Sequence, residues 1–148
     1  MNTEMLKKQS DEYCEAWQEL NAFYEDYAKS VGHSYSSLQI LNMIASRNGS
    51  CTQTIICEQT FLPKQTVNTI ITGFLKQGMI RLVEVPENRR KKEIHLTEYG
   101  KEYTGKILPK IREAELAAME SLDEAQRKAL LSLTKLYVER LHGFMNNT

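Results

Sequence analysis

No uninterrupted apolar stretch in the sequence exceeds four residues, Leu116 to Met119. A helix needs about 20 such residues to cross a bilayer, so no membrane span is expected. The first thirty residues also lack the apolar segment of a secretory signal, which makes the cytoplasm the expected location. Cysteine is sparse: Cys14, Cys51 and Cys57 are an odd number at irregular spacing, which suits no disulfide framework. Cys51 and Cys57 close no zinc site, and His33, His95 and His142 stand at no metal-ligand spacing with one another or with the cysteines. A Gly-rich phosphate loop, Gly-x-Ser-x-Gly and His-Glu-x-x-His are all missing. No enzyme, metal or cofactor is therefore expected. Repeats and low-complexity linkers are absent, and 148 residues suffice for one domain with a real core.

Net charge is lacking as well, with 19 basic and 19 acidic side chains. The distribution is uneven, however. Residues 1–30 carry a balance of −4, whereas residues 61–92 hold Lys64, Lys76, Arg81, Arg89, Arg90, Lys91 and Lys92 against Glu84 and Glu87, a balance of +5. A phosphate backbone responds to the local patch more than to the sum over the chain.

What is present is helical periodicity, interrupted once. Tyr13, Trp17, Leu20, Tyr24 and Tyr27 mark one face of a helix over residues 3–30. Ser34 is placed to cap a second helix with apolar positions Leu38, Leu41, Ile44 and Ala45, and Arg47-Asn48-Gly49 to stop it. Thr52 opens a short helix to about Glu58, and residues 59–62 form a turn. Pro63 sits in the first turn of a further helix, whose apolar face is Val67, Ile70, Ile71, Phe74 and Leu75 and which stops at Gln77-Gly78. Two β-prone runs, 80–85 and 93–96, flank a polar loop crowded with Arg89, Arg90, Lys91 and Lys92, which reads as a hairpin. Thr97 caps a long helix to about Glu120, which Pro109 should bend or break. Ser121 to Glu124 fits a capping box for a last helix, with Leu130, Leu133, Tyr137, Leu141 and Phe144 at nearly heptad spacing.

A short helix, a turn and a second helix make a helix-turn-helix, whose second member fits the major groove of DNA. Its exposed edge carries Lys64, Gln65, Thr66, Asn68, Thr69 and Thr72, side chains suited to base edges and phosphates. Thr52 and Lys76 join the DNA-facing set. Crowded cations at a hairpin repel one another until a polyanion neutralises them, and an arginine there suits a narrow minor groove. The fold class expected is mainly α with a small β-hairpin wing.

The segments Leu62-Pro63-Lys64-Gln65-Thr66-Val67, Phe74 to Ile80, and Arg90 followed by Ile94-His95-Leu96-Thr97-Glu98-Tyr99-Gly100 resemble the MarR family of winged helix-turn-helix transcriptional regulators. The resemblance covers nearly the whole chain. It implies one domain over 1–148, with a DNA-binding lobe at 34–96 and dimerisation helices at 1–30 and 98–148. It implies a homodimeric, ligand-responsive repressor on a pseudo-palindromic operator, with Arg90 in the minor groove. Two departures stand out. Asn88 replaces the family aspartate that orients the arginine by an ion pair, so the wing is expected to be looser or its affinity lower. Leu62 stands where a capping Ser or Asp is usual.

The resemblance further implies a cleft for a small aromatic effector, with Trp17, Tyr24, Tyr27 and Tyr35 as candidate lining. Core or interface packing explains the same residues. Relatives that sense peroxide carry a cysteine in the first helix, where Cys14 lies, with Tyr27 and Tyr35 as hydrogen-bond partners. Glu12 and Glu15 beside it oppose a thiolate, so a buried, inert Cys14 is expected, and Cys51 and Cys57 are expected to be packing residues. A protein-docking winged helix and a thiol-based regulator remain the alternatives. His95 is expected to face solvent.

Overall fold

The computed structural model describes residues 2–147. Its elements run α1 (Thr3–Ser30), α2 (Tyr35–Arg47), β1 (Cys51–Thr52), α3 (Gln53–Thr60), α4 (Lys64–Lys76), β2 (Ile80–Val85), β3 (Asn88–Leu96), α5 (Glu98–Glu120) and α6 (Glu124–Asn146). The chain divides into two compact units, one reaching to Leu108 and the other beginning at Pro109.

In the first unit, local chemistry sets the helix ends. Asn2 caps α1 by accepting the Met5 N–H, Ser34 caps α2 by accepting from Ser37, and Thr52 caps α3 by accepting from Ile55. Asn48 then takes the left-handed conformation (φ 46°) that ends α2. The helix α3 continues to Thr60, past the expected stop, because the Thr60 hydroxyl donates back to the Ile56 carbonyl. Pro63 lies one position before the first turn of α4, where its carbonyl accepts the first helical bond from the Val67 N–H.

The core joins α2, α3, α4 and the sheet through Ile40, Leu41, Ile44, Cys51, Ile56, Val67, Ile71, Phe74, Met79, Ile80 and Ile94. Each fully buried aliphatic side chain contributes about 1.5–3 kcal/mol. Of the apolar face expected for α4, Val67, Ile71 and Phe74 are buried and Ile70 packs at the edge, but Leu75 is exposed. Ile40, off the expected face of α2, is fully buried and belongs to the same core.

The sheet differs from a simple hairpin. Its order is β1-β3-β2, all antiparallel, with Cys51 opposite Ile94 and Ile80 opposite Leu96. The strand β3 is longer than expected: Asn88 to Lys92 belong to it, and the turn is only Pro86-Glu87. Glu84 pairs with Lys92, but the next residue, Val85, pairs with Asn88. Arg89, Arg90 and Lys91 thus have no counterpart on β2 and form a bulge, which twists and re-aims a strand end.

Thr97 ties the sheet to α5. Its hydroxyl donates to the Gly78 carbonyl at 2.6 Å and accepts the Gly100 N–H at 3.0 Å, while its own N–H donates to the Met79 carbonyl. Of the expected bend or break at Pro109, the break does not occur: α5 runs on through it. Proline lacks the N–H that would reach the Gly105 carbonyl, a local loss that leaves the helix continuous.

The second unit holds the rest of α5 and all of α6. The capping box is two residues later than expected. Asp123 accepts the Gln126 N–H at 2.8 Å, and the Gln126 side chain accepts the Asp123 N–H at 2.9 Å. The Ser121 hydroxyl instead donates to the Ala118 carbonyl at the end of α5. No described residue of α6 is buried.

Candidate nucleic-acid interface

The polar edge of α4 is open to solvent. Lys64, Gln65, Asn68, Thr69, Thr72 and Lys76 are exposed and Thr66 is half-buried. The opposite face anchors the helix, so these side chains are held on a rigid element. Thr69 donates its hydroxyl back to the Gln65 carbonyl at 2.9 Å, which leaves the oxygen free to accept. Leu62, which cannot cap, packs against the core instead, and its N–H donates to the Thr60 hydroxyl oxygen. No side chain caps α4 at Pro63. The first N–H groups of the helix therefore add their positive end-charge to that of Lys64.

The wing carries the charge. Asn88, Arg89, Arg90, Lys91 and Lys92 are all exposed, and among the described residues no ion pair involves the four cations. Glu93, next in sequence to Lys92, shares a 3.1 Å hydrogen bond with His95. Asn88 does orient Arg90, but through the backbone: its side-chain oxygen accepts the Arg90 N–H at 3.2 Å. A neutral amide in that place holds the bulge without cancelling the guanidinium charge.

The pairing of β1 with β3 brings the start of α3 to the wing. Thr54 and Glu58 share a shallow concavity with Asn88, Arg90 and Lys91, and Gln53 lines the adjoining one with Lys92. Gln53 and Thr54 had no sequence signal, since a two-residue strand leaves no periodicity to read. Thr52 lines both concavities as well, but it is 5% exposed and its hydroxyl caps α3, which leaves little of it open to a partner. His95 is half-buried rather than solvent-facing, its ring lying against Gly49.

Tyr24 stacks on Tyr35, with ring centroids 4.9 Å apart, and the Tyr27 hydroxyl donates to the Ile107 carbonyl at 2.6 Å. Trp17 is exposed and meets Tyr13 edge-on. Beside them, His33 shares a 2.5 Å hydrogen bond with the Tyr103 hydroxyl and meets Phe74 of α4 edge-on. Burial holds the His33 imidazole below its ordinary pKa and pushes the Tyr103 phenol up.

Cys14, expected to be buried, is exposed on α1. A helix whose only buried residue is Ala28 has no core to receive it. Cys51 is buried, which pushes its thiol up, and Cys57 packs at the core edge, both as expected of packing residues. Among the described residues no cluster of His, Cys, Asp and Glu could hold a metal ion, and no helix is long and apolar enough to cross a membrane.

A short helix, a turn, an exposed second helix and a three-stranded wing define a winged helix-turn-helix protein. Residues 32–91 match the model of the MarR family. The chain is 25% identical over 125 residues to the HTH-type transcriptional repressor NicR of Pseudomonas putida, across 84% of this chain and 78% of the repressor. Its fold is that of NMB1585, a MarR family regulator from Neisseria meningitidis, with a TM-score of 0.81, 22% identity, and 94% and 97% of the two chains covered. It is also similar to BpsR of Bordetella bronchiseptica, whose DNA binding is regulated by 6-hydroxynicotinic acid (TM-score 0.68, 17% identity, 87% and 91% covered). The winged helix-turn-helix at residues 32–91 is thus of MarR type, and the chain as a whole shares the fold of MarR-family structures.

Proposed function

We propose that the protein binds duplex DNA as a homodimer and represses transcription from a pseudo-palindromic operator. The observation that carries this reading is the wing, where four exposed cations that form no ion pair among the described residues stand in the same unit as the open polar edge of α4. Release of counterions from DNA favours such a patch and makes binding fall with salt. Lys64, Lys76, Arg89, Lys91 and Lys92 act on phosphates. Gln65, Thr66, Asn68, Thr69 and Thr72 read base edges in the major groove, and Arg90 enters the minor groove, held from behind by Asn88. The similarity to a repressor, NicR, supports repression over activation. A wing that docked a protein would leave the exposed hydrogen-bonding edge of α4 without a role.

Dimerisation rests on the apolar surface of the two ends of the chain. Trp17, Leu20 and Phe23 of α1, and Leu133, Leu141 and Phe144 of α6, are all more than two-fifths exposed. Surfaces of that kind mark interfaces. Residues 34–96 are thus the DNA-binding lobe, with dimerisation helices at 1–30 and 98–148. The regulation of BpsR by 6-hydroxynicotinic acid supports a small aromatic effector here, with Trp17, Tyr24, Tyr27 and Tyr35 as its surroundings. A thiol switch at Cys14, which is exposed on α1, is the alternative reading.

The test is titration of the pure protein with a duplex of its own upstream intergenic DNA at two salt concentrations. Wild type binds and weakens steeply with salt. Arg90→Ala binds much less tightly, and its slope of log K against log salt falls by about one unit. An unchanged slope in Arg90→Ala overturns the wing assignment.

A further inference from the structure

Phe61 sits in the turn between α3 and α4, and two features of it oppose each other. Its backbone is left-handed (φ 58°, ψ 16°), a conformation that favours Gly or Asn at the end of a helix. The residue is 90% exposed, the highest value among the described large apolar residues. A phenylalanine is the wrong residue for that backbone and a poor one for that exposure. Nothing inside the chain accounts for it. Phe61 is no part of the core or its edge, and among the described residues no ring contact involves it. The turn itself is fixed. The Phe61 N–H donates to the Cys57 carbonyl at 3.1 Å, the Thr60 hydroxyl binds Ile56 and Leu62, and Leu62 packs on the core. With its neighbour anchored inward, the ring is held outward.

The position says what it meets. Phe61 lies three residues before Lys64 and four before Gln65, both exposed at the start of α4. No acidic residue occurs from Phe61 to Lys76. The turn that leads a recognition helix into a groove passes over the edge of that groove, where the sugar–phosphate strand runs. The deoxyribose is the apolar part of that strand. We propose that Phe61 packs its ring on a deoxyribose at the groove edge, beside the phosphate that Lys64 contacts, and so sets the depth and register of α4. This rests on the DNA-binding reading above. A second copy of the chain is the weaker occupant, because exposed polar Gln59 and Lys64 flank the residue in sequence.

Phe61→Gly is the informative variant, because glycine removes the ring and suits the left-handed backbone, so the fold is kept. The readout is fluorescence anisotropy with labelled duplexes, one from the upstream intergenic region and one of random sequence, alongside thermal melting and sedimentation velocity. Phe61→Gly is expected to melt at or above the wild-type temperature, to sediment as wild type, and to bind both duplexes roughly tenfold more weakly, the scale of losing a partly buried aromatic contact. Its salt slope is unchanged, since no cation is lost. Phe61→Trp keeps most of the affinity. Unchanged affinity in Phe61→Gly overturns the proposal, as does weakened self-association, which makes the ring a contact between copies. A reduced salt slope also overturns it, since it assigns the loss to Lys64. Wild type that binds neither duplex removes the DNA reading itself, whereas tight wild-type binding with an indifferent Phe61→Gly removes this inference alone.

Discussion

Gly100 explains a sequence pattern that is otherwise only a signature. A Cβ built there would lie 2.0 Å from the Met79 carbonyl oxygen and 3.0 Å from its carbon, both backbone atoms that cannot swing aside. The same stretch of backbone is held by Thr97, whose hydroxyl bridges the Gly78 carbonyl and the Gly100 N–H. The Leu-Thr-x-x-Gly pattern at 96–100 is thus a clamp between the end of the sheet and the start of α5. Gly100→Ala is expected to destabilise the fold by about 1–3 kcal/mol or more, as overpacking against fixed neighbours does. Gly105→Ala is the control: a Cβ there meets nothing within 4 Å, and alanine is the better helix former by about 1 kcal/mol. Urea denaturation separates the two, and equal midpoints would remove the clamp. The departure at Asn88 is also resolved at this scale. Its amide oxygen fixes the Arg90 backbone, a bond that aspartate would make equally, while the guanidinium keeps its whole charge for a partner.

At the level of elements, helix ends were the most legible parts of the sequence. Ser34 and Thr52 start helices through bonds to residues three positions away, and Asn48 ends one through its own left-handed backbone, so a short window contains the whole cause. The last helix was ambiguous for the same reason. Both Ser121-x-x-Glu124 and Asp123-x-x-Gln126 satisfy the capping-box pattern, and the box closes on Asp123. Asp123→Ala should cost the chain about 1 kcal/mol of stability in chemical denaturation, and Ser121→Ala much less. The reverse order would restore Ser121 as the cap. The sheet was less legible. The strand β1 is two residues whose partners stand more than 40 positions away, and the bulge at Arg89, Arg90 and Lys91 depends on where β2 ends against β3. Charge alone does not reveal that a basic run is strand rather than loop, because a bulged, solvent-facing strand end tolerates any polar residue.

For the whole molecule, the unequal charge and the exposed apolar helices act together. The acidic balance over residues 1–30 and the basic balance over 61–92 give the chain a face that attracts a polyanion despite a net charge of zero. The helix α6 buries no described residue, yet exposes Leu130, Leu131, Leu133, Leu136, Val138 and Leu141. On the proposed dimeric reading, a second copy covers that surface symmetrically. Wild type should therefore sediment at twice the 17.1 kDa of one chain, with a melting temperature that rises with protein concentration. Leu133→Glu with Leu141→Glu should yield monomer, and should weaken binding to a two-half-site duplex far more than to a single half-site. A double variant that stays dimeric would place the interface elsewhere.

The sequence by itself determined the order of the helices, their caps, most of the core face of α4 and the gathering of positive charge near it. Each of these follows from short-range periodicity or from a side chain bonding its own neighbourhood. The tertiary structure alone decided that Cys51-Thr52 is a strand, that Thr52 is spent on a cap, that Arg89 to Lys91 bulge from β3, and that Phe61 points outward in a left-handed turn. These depend on pairings between distant segments, whose register is set by the packing of the whole lobe rather than by any local preference.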